Sequence, residues 1–386
     1  MTERMPSFSY TRGVPNGVGM RASLPSTRES VKRAPRYTRA LMRAAVFSGV
    51  GRPLEIRTVP DPTPGPAELI LAVRDCGVCG SDLHAAEVTD DSGGMRPLPV
   101  GAIMGHEFAG EVVALGRLAG RFRVGDRVTA LPYIGCGSCV ACLNGQGHRC
   151  PAVISGGFGK LPGAYADFVR VGVHEALPLP PEVDFRQGAL VEPLAVGLHT
   201  VERAGLRPGD VAQIIGAGPI GLAVSLWCRF FGAGPVLVSD LAPERAERAA
   251  RMGATAVIHA EREDVVAAVK REAGRRADVV FDCVGVPGSQ QLAMDYAPVN
   301  GRVVVAGVCM QPDRILPVKA ITKELDVRYV FGYGKRDFAF TLDMLARARV
   351  DAGPLLGDTV GWDAFPAAFA ALGSDKRRVK VMLEPR

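Results

Sequence analysis

In Val211-Ala-Gln-Ile-Ile-Gly-Ala-Gly-Pro-Ile-Gly221, an apolar run leads into three spaced glycines, Gly216, Gly218 and Gly221. The apolar run predicts a buried strand, and the pattern after it predicts a helix over 220–231. In G-x-G-x-x-G the first glycine allows a tight turn, the second lets backbone approach a pyrophosphate, and the third packs helix against strand. The N–H groups at the helix N-terminus would face the phosphates. The segment therefore predicts a dinucleotide site.

An acidic residue after the next predicted strand supports this interpretation. Asp240 lies 22 residues beyond Gly218, where a carboxylate accepts hydrogen bonds from the ribose hydroxyls. Because such a carboxylate would repel a 2′-phosphate, NAD is favoured over NADP. The alternative is a solvent-facing aspartate in an unrelated α/β unit.

The chain changes its pattern on the two sides of Pro193. Before it, short apolar runs broken by Gly and Pro predict a barrel-like all-β unit. After it, apolar runs alternate with predicted helices over 244–252 and 264–273, which is typical of a parallel sheet with crossover helices. A helix over 338–347 and a strand over 379–383 are predicted beyond Gly334. The uncharged segment 211–228 contains glycines and a proline, so it favours strand, turn and helix over a membrane span.

Charge is concentrated in residues 1–41, which hold eight basic and two acidic side chains of a chain with net charge +6. Residues 42–386 are therefore neutral, which argues against a nucleic-acid partner. We expect residues 1–41 to be a disordered basic extension, since they show no hydrophobic period and no apolar signal core. A transit peptide, or a translation start placed upstream of Met42, are the alternatives. With no secretion signal and clustered cysteines, we expect a soluble, cytoplasmic protein.

Four cysteines follow the spacing C-x2-C-x2-C-x7-C within the loop 135–150. They are Cys136, Cys139, Cys142 and Cys150. Four nearby thiolates can surround one Zn²⁺ tetrahedrally and leave no open position, so this pattern predicts a structural zinc. Two disulfides or free thiols are the alternative.

A second set of metal-binding side chains is dispersed along the chain. Cys79, His106, Glu107 and Glu192 supply a thiolate, an imidazole and two carboxylates from separate segments. A thiolate, an imidazole and one carboxylate leave a fourth position for water or substrate, which is the pattern of a catalytic zinc. Cys76, three residues before Cys79, could instead form a redox pair with it.

On these residues, the chain resembles the zinc-containing medium-chain dehydrogenases, especially the polyol and butanediol dehydrogenase branch. The resemblance covers residues 42–386 and rests on Gly77-Val-Cys-Gly-Ser-Asp-Leu-His84, Gly105-His-Glu-Phe108, the four-cysteine loop, Gly125-Asp-Arg-Val128, Val191-Glu-Pro-Leu194 and the glycine motif. It implies an α/β protein in which a Rossmann doubly wound parallel sheet domain (194–333) is inserted in a GroES-like β-barrel catalytic domain (42–193 and 334–386).

The family's functional residues fall on matching positions of this sequence. Cys79 and His106 match the catalytic zinc ligands, and Glu107 matches a further ligand or a partner of one. Glu192 stands where this branch has Glu and other alcohol dehydrogenases have Cys. Ser81 and His84 match the hydroxyl and imidazole that relay the substrate proton. Matches to cofactor contacts, beside the three glycines, are Pro219, Ile220, Asp240, Arg245, Ala306, Gly307 and Val308.

The resemblance implies two zinc ions per chain, NAD, and hydride transfer between the cofactor and a secondary alcohol or diol, or the corresponding ketone. Gly332 stands where sorbitol dehydrogenases usually carry an Arg that touches the polyol. This difference favours small diols or hydrophobic secondary alcohols over sugar alcohols. L-Threonine 3-dehydrogenase-like or sugar-alcohol dehydrogenase activity is the closest alternative. A homodimer or homotetramer is expected, and no membrane partner.

Two further hypotheses remain in view. A zinc-independent quinone or enoyl reductase would lack the ligand set that this chain carries. A non-catalytic structural protein that binds NAD or zinc on the same scaffold would be expected to lose Cys79, Ser81 or His106, and all three are present.

Overall fold

The described residues include a few that precede Met42, the predicted start of the catalytic domain. The protein's structure, a computed structural model, describes residues 37–38, 40–90, 96–375 and 377–385, so most of the predicted disordered extension lies outside the described residues. Tyr37, near the end of that extension, contacts the rest of the chain. The Tyr37 hydroxyl donates to the carbonyl of Pro62 over 2.7 Å, and its ring packs edge-on against Phe168. Strand β1 (Leu41–Val46) pairs antiparallel with β2 (Glu55–Pro60).

The first half of the chain is rich in short strands, as predicted. These are β3 (Glu68–Gly77), β4 (Glu107–Leu115), β5 (Arg127–Ala130), β6 (Tyr133–Ile134), β7 (Ile154–Ser155), β8 (Phe168–Gly172) and β9 (Ala176–Pro178). Helix α1 (Gly80–Glu87) follows β3, and the short α2 (Val140–Leu143) and a 3-10 turn (Gly147–Arg149) lie between β6 and β7. The antiparallel pairing of β3 with β4 sets Gly77 opposite Glu107.

Strands and helices then alternate. The elements are α3 (Phe185–Ala204), β10 (Ala212–Ile215), α4 (Pro219–Phe230), β11 (Val236–Asp240), α5 (Pro243–Arg251), β12 (Ala256–His259), α6 (Val265–Ala273), β13 (Val279–Asp282), α7 (Ser289–Tyr296), β14 (Arg302–Val305), α8 (Pro317–Lys323) and β15 (Asp326–Tyr329). Their six strands form one parallel sheet in the order β12-β11-β10-β13-β14-β15. The strand order reverses beside β10, which makes the sheet doubly wound and confirms the predicted fold class.

The chain then returns to the first sheet. It continues through α9 (Lys335–Ala346), a 3-10 turn (Gly353–Leu355), β16 (Asp358–Val360), α10 (Phe365–Ser374) and β17 (Val381–Leu383). Strand β17 pairs antiparallel with β3 and parallel with β16. A seven-stranded sheet therefore combines strands that precede the parallel sheet in the sequence with strands that follow it. Within the described chain, no helix is long and apolar enough to cross a membrane, and segment 211–228 forms β10 and α4.

The long helix α3 has no counterpart among the predicted elements, and the predicted boundary between 193 and 194 falls inside it. It begins with a capping box in which Gln187 N donates to Asp184 over 2.7 Å and Asp184 N donates to the Gln187 side chain over 3.1 Å. It ends at Gly205, whose φ of +59° closes the last turn. Most of its length is buried, so Glu192 lies in the interior of the molecule.

Candidate active site and metal centres

Four cysteines converge in the loop after β6. The ligand atoms that lie within 4.8 Å of one another belong to Cys136, Cys139, Cys142 and Cys150. The chain folds back on itself because α2 begins directly after Cys139, and because Gly137 and Gly145 adopt φ angles of +75° and +71°. None of the cysteines in the described chain forms a disulfide.

The charges of this cluster fit a metal. Cys139 N donates to Cys136 Sγ over 3.3 Å, and Ala152 N donates to Cys150 Sγ over 3.3 Å. Hydrogen bonds from Ser138 lower the pKa of Cys136 to about 6, whereas burial raises the pKa of Cys142 to about 12. Four thiols this close do not all ionise without a counter-charge, because neighbouring thiolates repel one another. A Zn²⁺ ion held by the four sulfur atoms would supply that charge.

A second group joins segments that are distant in sequence. The Cys79 sulfur, a His106 ring nitrogen and a Glu107 carboxylate oxygen lie within 4.8 Å of one another. Cys79 precedes α1 directly, and His106 and Glu107 lie at the start of β4. The pairing of β3 with β4 therefore brings the cysteine and the histidine together. Both His106 and Glu107 are buried.

One carboxylate holds two of these segments. Asp82 is fully buried; its Oδ2 accepts a hydrogen bond from Cys79 N over 3.0 Å, and its Oδ1 lies 3.2 Å from His106 Nδ1. Burial lowers the pKa of His106, but the Asp82 carboxylate and the Cys79 sulfur outweigh burial and raise it well above its usual value. Because Nδ1 faces Asp82, Nε2 remains for a metal, as in most metal-bound histidines. Nε2 lies 3.4 Å from Ser81 Oγ.

Glu107 forms a fully buried ion pair with a residue from the other end of the chain. Lys380 Nζ donates to both carboxylate oxygens over 2.7 Å and to the carbonyl of Val78 over 3.1 Å. Neither side chain is exposed. Gly77 makes room for the pair, because a Cβ there would lie 2.1 Å from Glu107 Oε2. The carboxylate is thus charge-compensated in the interior, as a buried ion must be.

Among the described residues, the group formed by Cys79, His106 and Glu107 does not include Glu192. This glutamate is buried on α3, and burial raises its pKa to about 7. His106, Glu107 and Lys380 all act on this pKa, so the second carboxylate belongs to the same electrostatic environment. Burial and Glu192 also raise the pKa of the Tyr333 phenol well above its usual value.

Ser81 and His84 both belong to α1, three residues apart and therefore on one face. Ser81 is half-buried and His84 is exposed.

Cys76 is buried in β3, where burial raises the pKa of its thiol well above the usual value. A buried neutral thiol does not favour a redox pair with Cys79.

The glycine motif lies at the carboxyl end of the parallel sheet. Gly216 follows β10 with a φ of +94°, and a Cβ at Gly221 would lie 1.8 Å from the carbonyl oxygen of Gly216. Gly218 precedes α4, which starts at Pro219, and Ile220 is half-buried on its first turn. Asp240 ends β11 and accepts hydrogen bonds from Ala217 N over 2.7 Å and Ala242 N over 2.8 Å.

The remaining predicted cofactor residues divide into two groups. Ala306 N and Gly307 N both donate to the Asp282 carbonyl over 2.9 Å, at the carboxyl ends of β13 and β14, and Val308 is exposed. This group lies on the same edge of the sheet as Gly216. Arg245 differs, because its guanidinium donates to the carbonyl of Arg378 over 3.1 Å and 2.8 Å.

Four residues of this site have no role in the sequence-based prediction: Asp82, Lys380, Tyr165 and Tyr333. Lys380 carried a detectable signal, since it is a lone lysine in the apolar run 379–383, and a charge in a buried strand needs a partner. Tyr165 and Tyr333 had no signal of this kind, and the contact of Asp82 with His106 joins segments that are distant in sequence.

Two family models match the chain. Residues 65–181 match the alcohol dehydrogenase GroES-like domain, and residues 219–347 match the zinc-binding dehydrogenase model. The first match confirms the expected GroES-like unit.

Curated relatives span nearly the whole chain. Sorbitol dehydrogenase from Bacillus subtilis (strain 168) is 33% identical over 89% of this chain and 97% of the relative. The (R,R)-butanediol dehydrogenase of the same strain is 31% identical over 86% and 96%. L-Threonine 3-dehydrogenase from Aeromonas salmonicida (strain A449) is 32% identical over 82% and 92%.

Solved structures give the same result. A zinc-binding dehydrogenase from Sinorhizobium meliloti 1021, crystallised with NADP, matches with a TM-score of 0.80 and 30% identity, over 90% of this chain and 100% of that one. With the cysteine sites and the doubly wound sheet, these matches establish that the chain is an oxidoreductase of the zinc-containing medium-chain dehydrogenase family, in its polyol and butanediol dehydrogenase-like branch.

Proposed function

We propose that the protein is a zinc-dependent alcohol dehydrogenase that oxidises a secondary alcohol or diol, or reduces the ketone, by hydride transfer with NAD(H). The observation that carries this proposal is the group of Cys79, His106 and Glu107, whose ligand atoms lie within 4.8 Å of one another. A sulfur, an imidazole and a carboxylate leave one position of a tetrahedral zinc for the substrate. The proposed catalytic domain comprises 42–193 and 334–386, and the proposed NAD-binding domain comprises 194–333.

Two zinc ions would have different tasks in this proposal. The ion held by the four-cysteine loop is structural. The ion held by Cys79, His106 and Glu107 lowers the pKa of the substrate hydroxyl when bound. Glu107 is favoured over Glu192 as the third ligand because it belongs to the group of three, while Lys380 compensates its charge. Glu192 remains a neighbouring carboxylate with a pKa near 7.

Side chains of α1 give the substrate proton a route out of the site. Ser81 Oγ lies 3.4 Å from His106 Nε2, so its hydroxyl is close enough to the ligand group to accept a proton from a bound alcohol. His84 lies one turn further on the same face and is exposed. The proton would pass from Ser81, by way of the cofactor ribose, toward the imidazole of His84.

The proposed cofactor is NAD. Asp240 ends β11 with its carboxylate fixed by two backbone N–H groups, which supports ribose binding and disfavours a 2′-phosphate. Arg245 is already bonded to the Arg378 carbonyl, so it is not oriented as a phosphate ligand. The solved relative bound to NADP makes this choice worth testing directly.

A homodimer or homotetramer and a cytoplasmic location complete the proposal. Strand β15 lies at the edge of the parallel sheet, and Ile321, Tyr329 and Phe331 near it are exposed. Apolar side chains beside a sheet edge favour association with another copy. Nine cysteines without a disulfide suit a reducing compartment.

The test is a substrate panel with zinc-replete protein. NADH or NADPH formation would be followed with secondary alcohols, vicinal diols, linear polyols and β-hydroxy amino acids, each with NAD⁺ and NADP⁺. We expect turnover with NAD⁺ on secondary alcohols or diols. Turnover confined to polyols or to L-threonine would replace the substrate class with one of the alternatives. A preference for NADP⁺ would overturn the role of Asp240, and no turnover with zinc and NADH bound would contradict the function.

A further inference from the structure

Tyr165 contacts the metal-ligand region without belonging to the predicted ligand set. Its side chain is fully buried, and its hydroxyl donates to Asp82 Oδ2 over 2.5 Å. The same Oδ2 accepts the hydrogen bond from Cys79 N, and Oδ1 faces His106 Nδ1. The tyrosine therefore binds a carboxylate that contacts the segments of both ligands.

The ring of Tyr165 also packs against Gly105, the residue before His106. A Cβ at Gly105 would lie 2.5 Å from Tyr165 Cδ1 and 2.8 Å from Cε1. The ring thus lies directly on the backbone that carries the imidazole. Gly105 has a φ of +94°, so glycine there serves both the turn and this close approach.

The backbone of Tyr165 is held as firmly as its ring. Tyr165 N donates to the carbonyl of Met104 over 2.9 Å, and Ala164 N donates to the carbonyl of Gly105 over 2.8 Å. The ring also packs edge-on against Phe365 of α10, with ring centres 4.9 Å apart. These contacts hold the hydroxyl beside Asp82, with the carbonyl of Gly77 3.4 Å away as a weaker acceptor.

We infer that Tyr165 is a positioning residue for the catalytic metal: its hydroxyl fixes the Asp82 carboxylate, which in turn aims His106 Nε2 and the Cys79 segment at one point. This inference rests on the proposed function. Outer hydrogen-bond partners of metal-bound histidine orient the ring and select its tautomer. Tyr165 would add a further link, with one phenol acting on two ligands through a shared carboxylate.

The experiment compares Tyr165→Phe with the wild-type protein in an equilibrium competition between protein and a zinc chelator. The variant keeps the ring and loses only the hydroxyl, so packing on Gly105 and Phe365 is preserved. We expect one of two zinc ions to bind about tenfold or more weakly, while the four-cysteine loop retains its ion as an internal reference. In the cobalt-substituted protein, the absorption bands of the affected site should shift.

Two variants separate positioning from general stability. Tyr37→Phe removes a phenol that donates to a backbone carbonyl elsewhere, and it should leave both zinc affinities unchanged. In an Asp82→Asn background, Tyr165→Phe should add little, because both substitutions break the same link. Equal weakening of both zinc ions, unchanged affinity in Tyr165→Phe, or full additivity with Asp82→Asn would overturn the inference.

Cys79→Ser in the same series distinguishes the inference from the function beneath it. If Cys79→Ser removes one zinc and Tyr165→Phe leaves that zinc at wild-type affinity, only the positioning role is wrong. If Cys79→Ser changes neither zinc content nor affinity, the proposed catalytic site is wrong and the positioning role falls with it.

Discussion

The four-cysteine loop takes all its sulfur atoms from residues 136–150, whereas the site around Cys79 depends on an ion pair between residues 273 positions apart. In the loop, Cys136 is exposed and the chain turns on its own glycines. Around Cys79, Asp82, Glu107 and Lys380 are all buried, and strand pairing brings them together. A local site can form with its loop, but a dispersed site forms only when the sheet does. Four substitutions test how far this difference extends.

The largest expected effect is on activity. Cys79→Ser should lower kcat by at least about three orders of magnitude, because several kcal/mol of Lewis-acid stabilisation are lost. NADH binding, followed by cofactor fluorescence, should remain near the wild-type value, since the glycine motif is untouched. Cys283→Ser replaces a half-buried thiol in neither cluster and serves as the control. Retained turnover in Cys79→Ser would contradict the metal assignment.

Cys139→Ser should lower the unfolding free energy and leave the rate of the chemical step unchanged. Structural zinc contributes about 10–16 kcal/mol in small zinc peptides, so loss of one ligand should lower the unfolding free energy by an amount on the order of 5 kcal/mol. The measurement is chemical denaturation with and without chelator, and kcat should be determined on the fraction that stays folded. Activity loss without any loss of stability would mean that the loop takes part in the reaction and that the comparison fails.

Lys380→Met tests the dispersed site through its charge balance. The substitution leaves the Glu107 carboxylate buried and unpaired, which should cost about 3–5 kcal/mol of unfolding free energy. Adding Glu107→Gln should recover part of the loss, because no buried charge then remains. As a matched control, Arg347→Met breaks an exposed pair with Asp343 and should change stability by no more than about 0.5 kcal/mol. Equal effects of the two single variants would refute the buried-pair argument.

The smallest expected effect concerns an anchor of the four-cysteine loop. Lys335 N, at the start of α9, donates to the carbonyl of Gly145 over 2.7 Å. Asp337 caps that helix and lies 3.1 Å from His199 Nδ1. Burial raises the pKa of Asp337, but His199 and Gly334 N–H outweigh burial and hold it below its usual value.

A depressed carboxyl pKa stabilises the fold above the unfolded value of about 3.9, and the contribution disappears as pH falls through the folded pKa. Asp337→Asn should therefore lower the unfolding free energy by about 1 kcal/mol at pH 7 and by much less at pH 3. Denaturation at both pH values tests this. Asp343→Asn, on the exposed face of the same helix, is the control. A weaker structural zinc in Asp337→Asn would show that the loop depends on α9.

The sequence predicts those parts of the molecule whose geometry is local. The four-cysteine spacing and the glycine motif with Asp240 each lie within a short segment and obey fixed rules of turn and ligand geometry. The parallel arrangement of the six-stranded sheet follows from the alternation of strands and helices. The partners of Lys380 and Tyr165 are not predicted, because Glu107 and Asp82 lie far away from them along the chain.

Helix α3 is not predicted from the sequence, for a different reason. Gly188, Pro193 and Gly197 interrupt its helical pattern, and both glycine and proline disfavour a helix interior. In the folded chain a Cβ at Gly188 would lie 2.9 Å from Ala109 and one at Gly197 would lie 2.6 Å from Ala223. The glycines let the helix approach β4 and α4 closely, so packing outweighs local propensity. The hydrogen bonds of Arg245 to the carbonyl of Arg378 are likewise not indicated by any local pattern.

The position of β17 also has a consequence for biosynthesis. Val78 N donates to the carbonyl of Val381 over 2.9 Å, and Lys380 neutralises Glu107 beside it. During translation, residues 76–150 leave the ribosome well before residue 380, and all four cysteines of the loop lie within this segment. The Glu107 carboxylate gains its permanent cation only after residue 380 has left the ribosome. The four-cysteine cluster can therefore form before residue 380 has been made, whereas the buried ion pair of Glu107 cannot.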